Sequence, residues 1–188
     1  MKEIHSVIAG ISILLDFSGI GIIEFHDSGL IQEELQYDYI YHEHLFYYSL
    51  TSIGKFLNRH GLGIFDVSKS PISGGSWVVH FSKASKNKSL ALRNALQDEE
   101  LTGVNSLENW FQFKTNVELH RKNLRDIVFS SKKKLLAYGA SARSSTMLNY
   151  CGIGHQHVSA IIDRNPLKHG MLTPGSKIPI ISYEEAMP

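Results

Sequence analysis

Cysteine is almost missing from this chain of 188 residues. The single Cys151 cannot close an intrachain disulfide, and a structural zinc site built on several thiolates is excluded with it. A reducing compartment follows, and the chain is read as cytoplasmic. An excess of one charge is missing too: 19 Lys and Arg against 18 Asp and Glu leave a formal net charge of +1, so neither a nucleic acid polymer nor an anionic membrane is the expected partner. No apolar run escapes interruption. The longest, residues 7–25, carries Asp16 at its centre, which costs about 2.5–3.5 kcal/mol on insertion scales, and no small-residue cleavage site follows it. What is present is ordinary globular composition, 43% hydrophobic and 20% charged, with room for one or two domains.

The patterning predicts alternating helices and strands. Val7, Ile8, Ile11, Leu14 and Leu15 recur at helical spacing, Asp16-Phe17-Ser18-Gly19 reads as a turn, and residues 21–25 as a buried strand. After an aromatic-rich stretch, Phe46, Leu50, Ile53 and Leu57 predict a helix over residues 45–60 that stops at Gly61. Strands are expected over residues 62–67 and 76–81, the second with Trp77, Val79 and Phe81 on one face. The Lys, Ser and Asn of residues 82–89 suggest a junction between lobes. Beyond it a helical region follows, in which Ser106 is expected to cap a helix through Phe129, with Leu107, Trp110, Phe111, Val117, Leu124 and Val128 inward and Glu118, Arg121, Lys122 and Arg125 outward. Those charges, and Lys132-Lys133-Lys134, read as a solvated face. The last fifty residues have βαβ rhythm: strand 135–138, a tight turn at Gly139-Ala140-Ser141-Ala142, a helix to Tyr150, strand 158–163 and a short strand 178–181. Ser182 and Glu185 stand as in a capping box, and the chain stops three residues later, so a C-terminal end cut short is expected.

Several residues could carry chemistry. Tyr41-His42-Glu43-His44 is the densest cluster: a histidine can act as general base, a carboxylate can orient it, and a tyrosine hydroxyl can donate to a developing oxyanion. Equally, these are ordinary polar residues at a helix start, Glu43 suiting the helix dipole. The helical histidine spacing of zincins is absent. Gly139-Ala140-Ser141-Ala142 follows a strand and opens a helix, and Asp163 ends the next strand; such a turn favours phosphate and such an Asp can take a ribose hydroxyl, although many α/β turns bind nothing. Gly74-Gly75-Ser76 lets a backbone approach a ligand or simply joins two strands. Cys151, His155 and His157 fall short of a metal site, and none is expected.

Taken in order, these segments form a pattern. Tyr37-Asp38-Tyr39-Ile40-Tyr41-His42-Glu43-His44-Leu45-Phe46-Tyr47-Tyr48-Ser49-Leu50 resembles the signature of the S-adenosylmethionine-dependent sugar C-methyltransferases, which methylate nucleotide-linked 4-keto deoxysugars. Gly74-Gly75-Ser76, Ala137-Tyr138-Gly139-Ala140-Ser141-Ala142-Arg143 and Asp163-Arg164-Asn165-Pro166-Leu167-Lys168-His169-Gly170, with Pro174-Gly175-Ser176-Lys177-Ile178-Pro179-Ile180, are similar to the family's later motifs, in family order. The resemblance implies an α/β chain made of the end of a Rossmann-like methyltransferase sheet, a helical linker and a partial Rossmann-like βαβ domain. Residues 1–84 would end the methyltransferase domain and residues 85–188 form most of the C-terminal domain. It implies His44 as the base at C3 of the sugar, with Tyr41 and Glu43 assisting. His42, Gly74, Gly75, Ser76, Gly139, Ala140, Ser141 and Asp163 would face the nucleotide-sugar substrate. Arg143 stands where the family more usually has Lys, and Ser144 where it has Gly. No acidic residue followed by a Gly-x-Gly-x-Gly turn occurs, and Gly19-Ile20-Gly21 lies just before a strand, so the S-adenosylmethionine site and the zinc domain are expected to be missing and the chain inactive alone. The competing expectation is a non-catalytic module that binds a nucleotide or nucleotide-sugar. A homo-oligomer or a partner chain would then cover the missing lobe.

Overall fold

The computed structural model describes residues 3–187, the side chain of Ser73 excepted. It is a mixed α/β structure of two compact units, Met1–Leu35 with His44–Gln112 and Gln36–Glu43 with Phe113–Pro188. The expected division at residue 84 follows kinship; the compact units divide the chain elsewhere, crossing once inside a helix and twice around Gln36–Glu43.

In the first unit, helix α1 (Ile4–Leu14) leads to strand β1 (Gly21–His26), helix α2 (Ser28–Glu33), helix α3 (Leu50–Asn58), strands β2 (Gly63–Ser70) and β3 (Ser76–Ser82) and helix α4 (Leu90–Thr102). The strands form an antiparallel sheet in the order β1-β3-β2. Ile4, Ile8 and Ile11 of α1, with Leu15 just after it, pack with Ile53, Leu57, Leu62 and Phe81. Val79 joins a second cluster with Leu50, Val67, Leu92 and Ala95, against which Trp77 packs, so the two-residue period of β3 does bury one face. β1 departs from expectation. As the outer strand it buries only one side: Ile23 and Phe25 turn to the core while Ile22 remains 62% exposed.

The helix expected from residue 45 begins at Leu50. Ser49 stops it there, because its hydroxyl accepts from Ser52 N–H at 3.0 Å while the Ser52 hydroxyl accepts from Ser49 N–H at 2.9 Å. Phe46, counted in the apolar stripe by its spacing, is exposed in the preceding loop, as is Leu45.

Helix α5 (Leu107–Ser130) begins after Ser106, whose hydroxyl accepts from Asn109 N–H at 3.1 Å as its position predicts. The inward face differs from expectation at its start. Leu107 and Phe111 are exposed, and Phe113 and Val117 are the buried residues.

The second unit holds a parallel sheet of β4 (Leu135–Tyr138), β5 (Val158–Ile162) and β6 (Ile180–Ile181) in that order, with helix α6 (Ala142–Cys151) joining the first two and α7 (Tyr183–Ala186) last. This is the expected βαβ unit of a partial Rossmann-like domain. Its core is Leu148, Cys151, Ile153, Val158, Ile161 and Ile178, with Leu124 and Val128 of α5 packed against it. Among the described residues no helix is long and apolar enough to cross a membrane.

Candidate functional site

The segment Gln36–Glu43 leaves the first unit, lies in the second and returns, and we call it the strap. Tyr37, Asp38 and Tyr39 form a 3-10 turn, and Tyr41 N–H donates to Tyr39 O at 3.1 Å. Tyr37 is buried at one end. Its hydroxyl lies 3.1 Å from His120 Nδ1 and 3.6 Å from Cys151 Sγ, and burial together with the Cys151 contact pushes its pKa far up, so it stays a neutral phenol. Nearer the cluster, Arg143 Nε donates to Asp38 Oδ2 at 2.7 Å and its terminal amine to the Tyr39 hydroxyl at 2.8 Å. Tyr41 is half-buried, with the His42 ring edge-on at 6.1 Å; His42, Glu43 and His44 are exposed. None of the four stands at a helix start, since the segment is turn and loop and α3 begins six residues after His44; the helix-dipole reading of Glu43 is thereby corrected. Tyr41 and Glu43 belong to the second unit, and His44 is the first residue after the chain returns to the first.

Gly74, Gly75 and Ser76 lie in the first unit, between β2 and β3. Gly74 has φ +83° and Gly75 φ +130°, conformations that favour glycine. Gly75 O accepts from Asp27 N–H at 3.5 Å, and the Ser76 hydroxyl donates to Ile72 O at 3.1 Å. Asp27 is the local hub: its Oδ1 accepts from Gly29 N–H at 2.8 Å, capping α2, and its Oδ2 pairs with Lys69 at 2.6 Å. Buried Ser76 is thus engaged with backbone, while Gly74 is exposed.

Gly139, Ala140, Ser141 and Asp163 do come together. Gly139 N–H donates to Ile162 O at 2.7 Å, and Ala140 N–H donates to Asp163 Oδ2 at 2.8 Å. Asp163 Oδ1 accepts from Asn165 N–H at 2.8 Å, and Lys168 Nζ reaches both Asp163 Oδ2 at 3.1 Å and Ala140 O at 2.7 Å. The amides of Asn165 and Ala140, with the Lys168 ammonium, hold the Asp163 carboxyl below the usual carboxylate range. Both carboxylate oxygens therefore accept from the turn itself. Ser141 caps α6 by accepting from Ser144 N–H at 3.1 Å, and Ser144 returns the bond to Ser141 N–H at 2.8 Å, which accounts for a hydroxyl at position 144. Beside the turn, at the carboxyl ends of the strands, lies a cavity of about 350 Å³ whose wall includes Tyr138, Asp163, Arg164, His169 and Tyr183.

Cys151, His155 and His157 do not converge. Cys151 is buried in the core beside Tyr37, and His157 stacks on Phe129 at 4.0 Å and accepts from Gly154 N–H. Among the described residues no cluster of His, Cys, Asp and Glu is suited to hold a metal.

Sequence reasoning missed two residues that shape these segments. Buried Glu99, on α4, accepts the N–H groups of Leu50 and Thr51 and so seals the start of α3, where the loop after His44 ends. Arg143 was noticed only as a departure from a family pattern, and its partners lie 105 and 104 residues away.

Residues 71–188 match a family model described as the C-methyltransferase C-terminal domain. The chain is 33% identical over 191 residues to the C-methyltransferase NovU of Streptomyces niveus, an alignment that takes in 99% of this chain and 46% of NovU. The chain thus spans less than half the length of that curated relative.

Proposed function

This chain belongs to the C-methyltransferase family, and from that premise we propose that residues 41–44 remove a proton from a nucleotide-linked 4-keto deoxysugar in preparation for methyl transfer at C3. The observation that carries the reading is the placement of Tyr41, Glu43 and His44: three acid–base groups within four residues of turn and loop, the first two on a strap held at both Tyr37 and Tyr39 and His44 the next residue along the chain. A proton α to a ketone becomes acidic enough for an imidazole only if the enolate oxygen is stabilised as it forms. His44 takes the C3 proton, the C3–H electron pair becomes the C3–C4 double bond, and the C4 oxygen accepts the charge. The Tyr41 hydroxyl donates to that oxygen, and Glu43 holds the positive charge that develops on His44.

The family's methyl donor is S-adenosylmethionine, which supplies an electrophilic methyl when bound. The described residues do not fit it. Gly21, the first residue of β1, is needed by the core, since a Cβ there would lie 2.3 Å from the Phe81 ring, and no Gly-x-Gly-x-Gly turn between a strand and a helix is found among the described residues. On this reading the chain alone supplies the deprotonation but not the methylation. A second reading, a nucleotide-sugar binding module, is favoured by the cavity beside Asp163, where Tyr138 and Tyr183 offer rings and Arg164 a cation.

The deprotonation can be measured without a methyl donor. Incubated in D2O with a thymidine-diphosphate 4-keto-6-deoxysugar, the chain is expected to exchange the C3 hydrogen for deuterium, followed by proton NMR, and His44→Ala to abolish the exchange. Absence of exchange with the unaltered chain overturns the proposal. Calorimetric binding of the nucleotide-sugar without such exchange would support the module instead.

A further inference from the structure

The strap is tied down by a residue that no catalytic role requires. We propose that Arg143 is a positioning residue that sets the place of Tyr41 and Glu43 by clamping the strap to α6; as a statement about chemistry, this rests on the reading of the cluster given above.

Arg143 is the second residue of α6, in the first turn of the helix. A cation there opposes the helix macrodipole, so local propensity does not explain it. What it gains is a three-part grip. Nε donates to Asp38 Oδ2 at 2.7 Å, a terminal N–H to the Tyr39 hydroxyl at 2.8 Å, and the guanidinium carbon lies 3.8 Å from the centre of the Tyr39 ring. A planar fork can donate in two directions and still lie on an aromatic face, whereas an ammonium is a single point charge. The Asp38 carboxylate also brings to the helix start the negative charge that its dipole favours.

The position of the grip along the strap matters. Tyr37 already fixes one end, with its ring 5.4 Å from Tyr150 and its hydroxyl between His120 and Cys151. The grip on Tyr39 lies two residues before Tyr41, and the Tyr41 N–H to Tyr39 O bond of 3.1 Å passes the restraint on. Arg143 thus acts through Tyr39 and touches no reacting atom.

The test compares the full chain with Arg143→Ala, Arg143→Lys and Asp38→Asn by amide hydrogen exchange and by the C3 exchange assay. Arg143→Ala is expected to speed amide exchange at residues 39–43 by about tenfold or more while the amides of β5 keep their protection, which shows that the unit has folded. The turnover for C3 exchange should fall by about 10–100-fold with KM changed by less than about twofold, because groups are misplaced and binding is not lost. Arg143→Lys, which keeps the charge and loses the fork, should fall between. Unchanged amide exchange at residues 39–43 overturns the proposal. Faster amide exchange with unchanged C3 exchange also overturns it, since the clamp would then serve folding alone. If the unaltered chain gives no C3 exchange, the catalytic reading fails by itself, and the amide data still decide whether Arg143 clamps the strap.

Discussion

Asp163→Asn separates two roles for one carboxylate. A group that waits for a ribose hydroxyl can be replaced with little effect on folding; a group that holds a turn together cannot. The side chain is 11% exposed, and it accepts from Ala140 N–H and Asn165 N–H at 2.8 Å each and from Lys168 at 3.1 Å. Asparagine keeps one acceptor oxygen and turns an NH2 toward the other amide. One charge-assisted bond, about 1.5–3 kcal/mol, is lost and a donor is left facing a donor. The ion pair adds at most about 1 kcal/mol, because the Lys168 side chain is still 36% exposed and its charge is screened by water. The expected loss is about 2–4 kcal/mol, and at roughly 4–8 °C per kcal/mol for a unit of this size the unfolding midpoint should drop by about 8 °C or more. Thermal unfolding followed by circular dichroism at neutral pH measures it. The pH dependence supplies a control. The folded-state pKa is lowered, so the carboxylate's stabilisation is complete above its unfolded value of about 3.9 and disappears as pH falls through the lower folded value. The two midpoints should converge in that acid range. Midpoints within about 2 °C at pH 7 would refute the clamp.

Three further substitutions test the packing that holds the candidate site. Glu99→Ala strands the N–H groups of Leu50 and Thr51 at the start of α3 and should cost about 3–5 kcal/mol in denaturant unfolding. Gly75→Ala puts a Cβ 2.2 Å from Leu30 Cδ2 at φ +130° and should cost about 1–3 kcal/mol by the same measurement. Leu57→Ala, at a side chain with 0% exposure, leaves a cavity in the first unit and should cost about 2–5 kcal/mol.

Local signals were legible where the partner of a residue lies within a few positions. Ser106 caps the helix its position announces, and β4 and α6 keep their expected limits to within a residue because a glycine turn and the Ser141 cap, which the sequence reading did not single out, bound them. The start of α3 was misread because Phe46 stands four residues before Leu50, mimicking one more helical turn, while the Ser49–Ser52 pair that stops the helix is also local but outweighed by that apolar spacing. The inward face of α5 failed at Leu107 and Phe111 for a different reason: the first turns of a helix find only the neighbours the fold provides, and both side chains stay in water. The cluster at residues 41–44 was legible by residue type alone. What holds it was not, because Asp38 and Arg143 are 105 residues apart and Leu50 and Glu99 are 49 apart, and no period or cap connects such distances.

The first of those separations has a cost in time. A ribosome that adds about 5–20 residues per second needs on the order of 5–20 s to travel from Asp38 to Arg143. Throughout that interval the strap has been made while Asp38 and Tyr39 still await the Arg143 guanidinium. An unfinished chain that ends before α6 therefore carries the acid–base cluster without its placement. Synthesis itself withholds the clamp until α6 has been made.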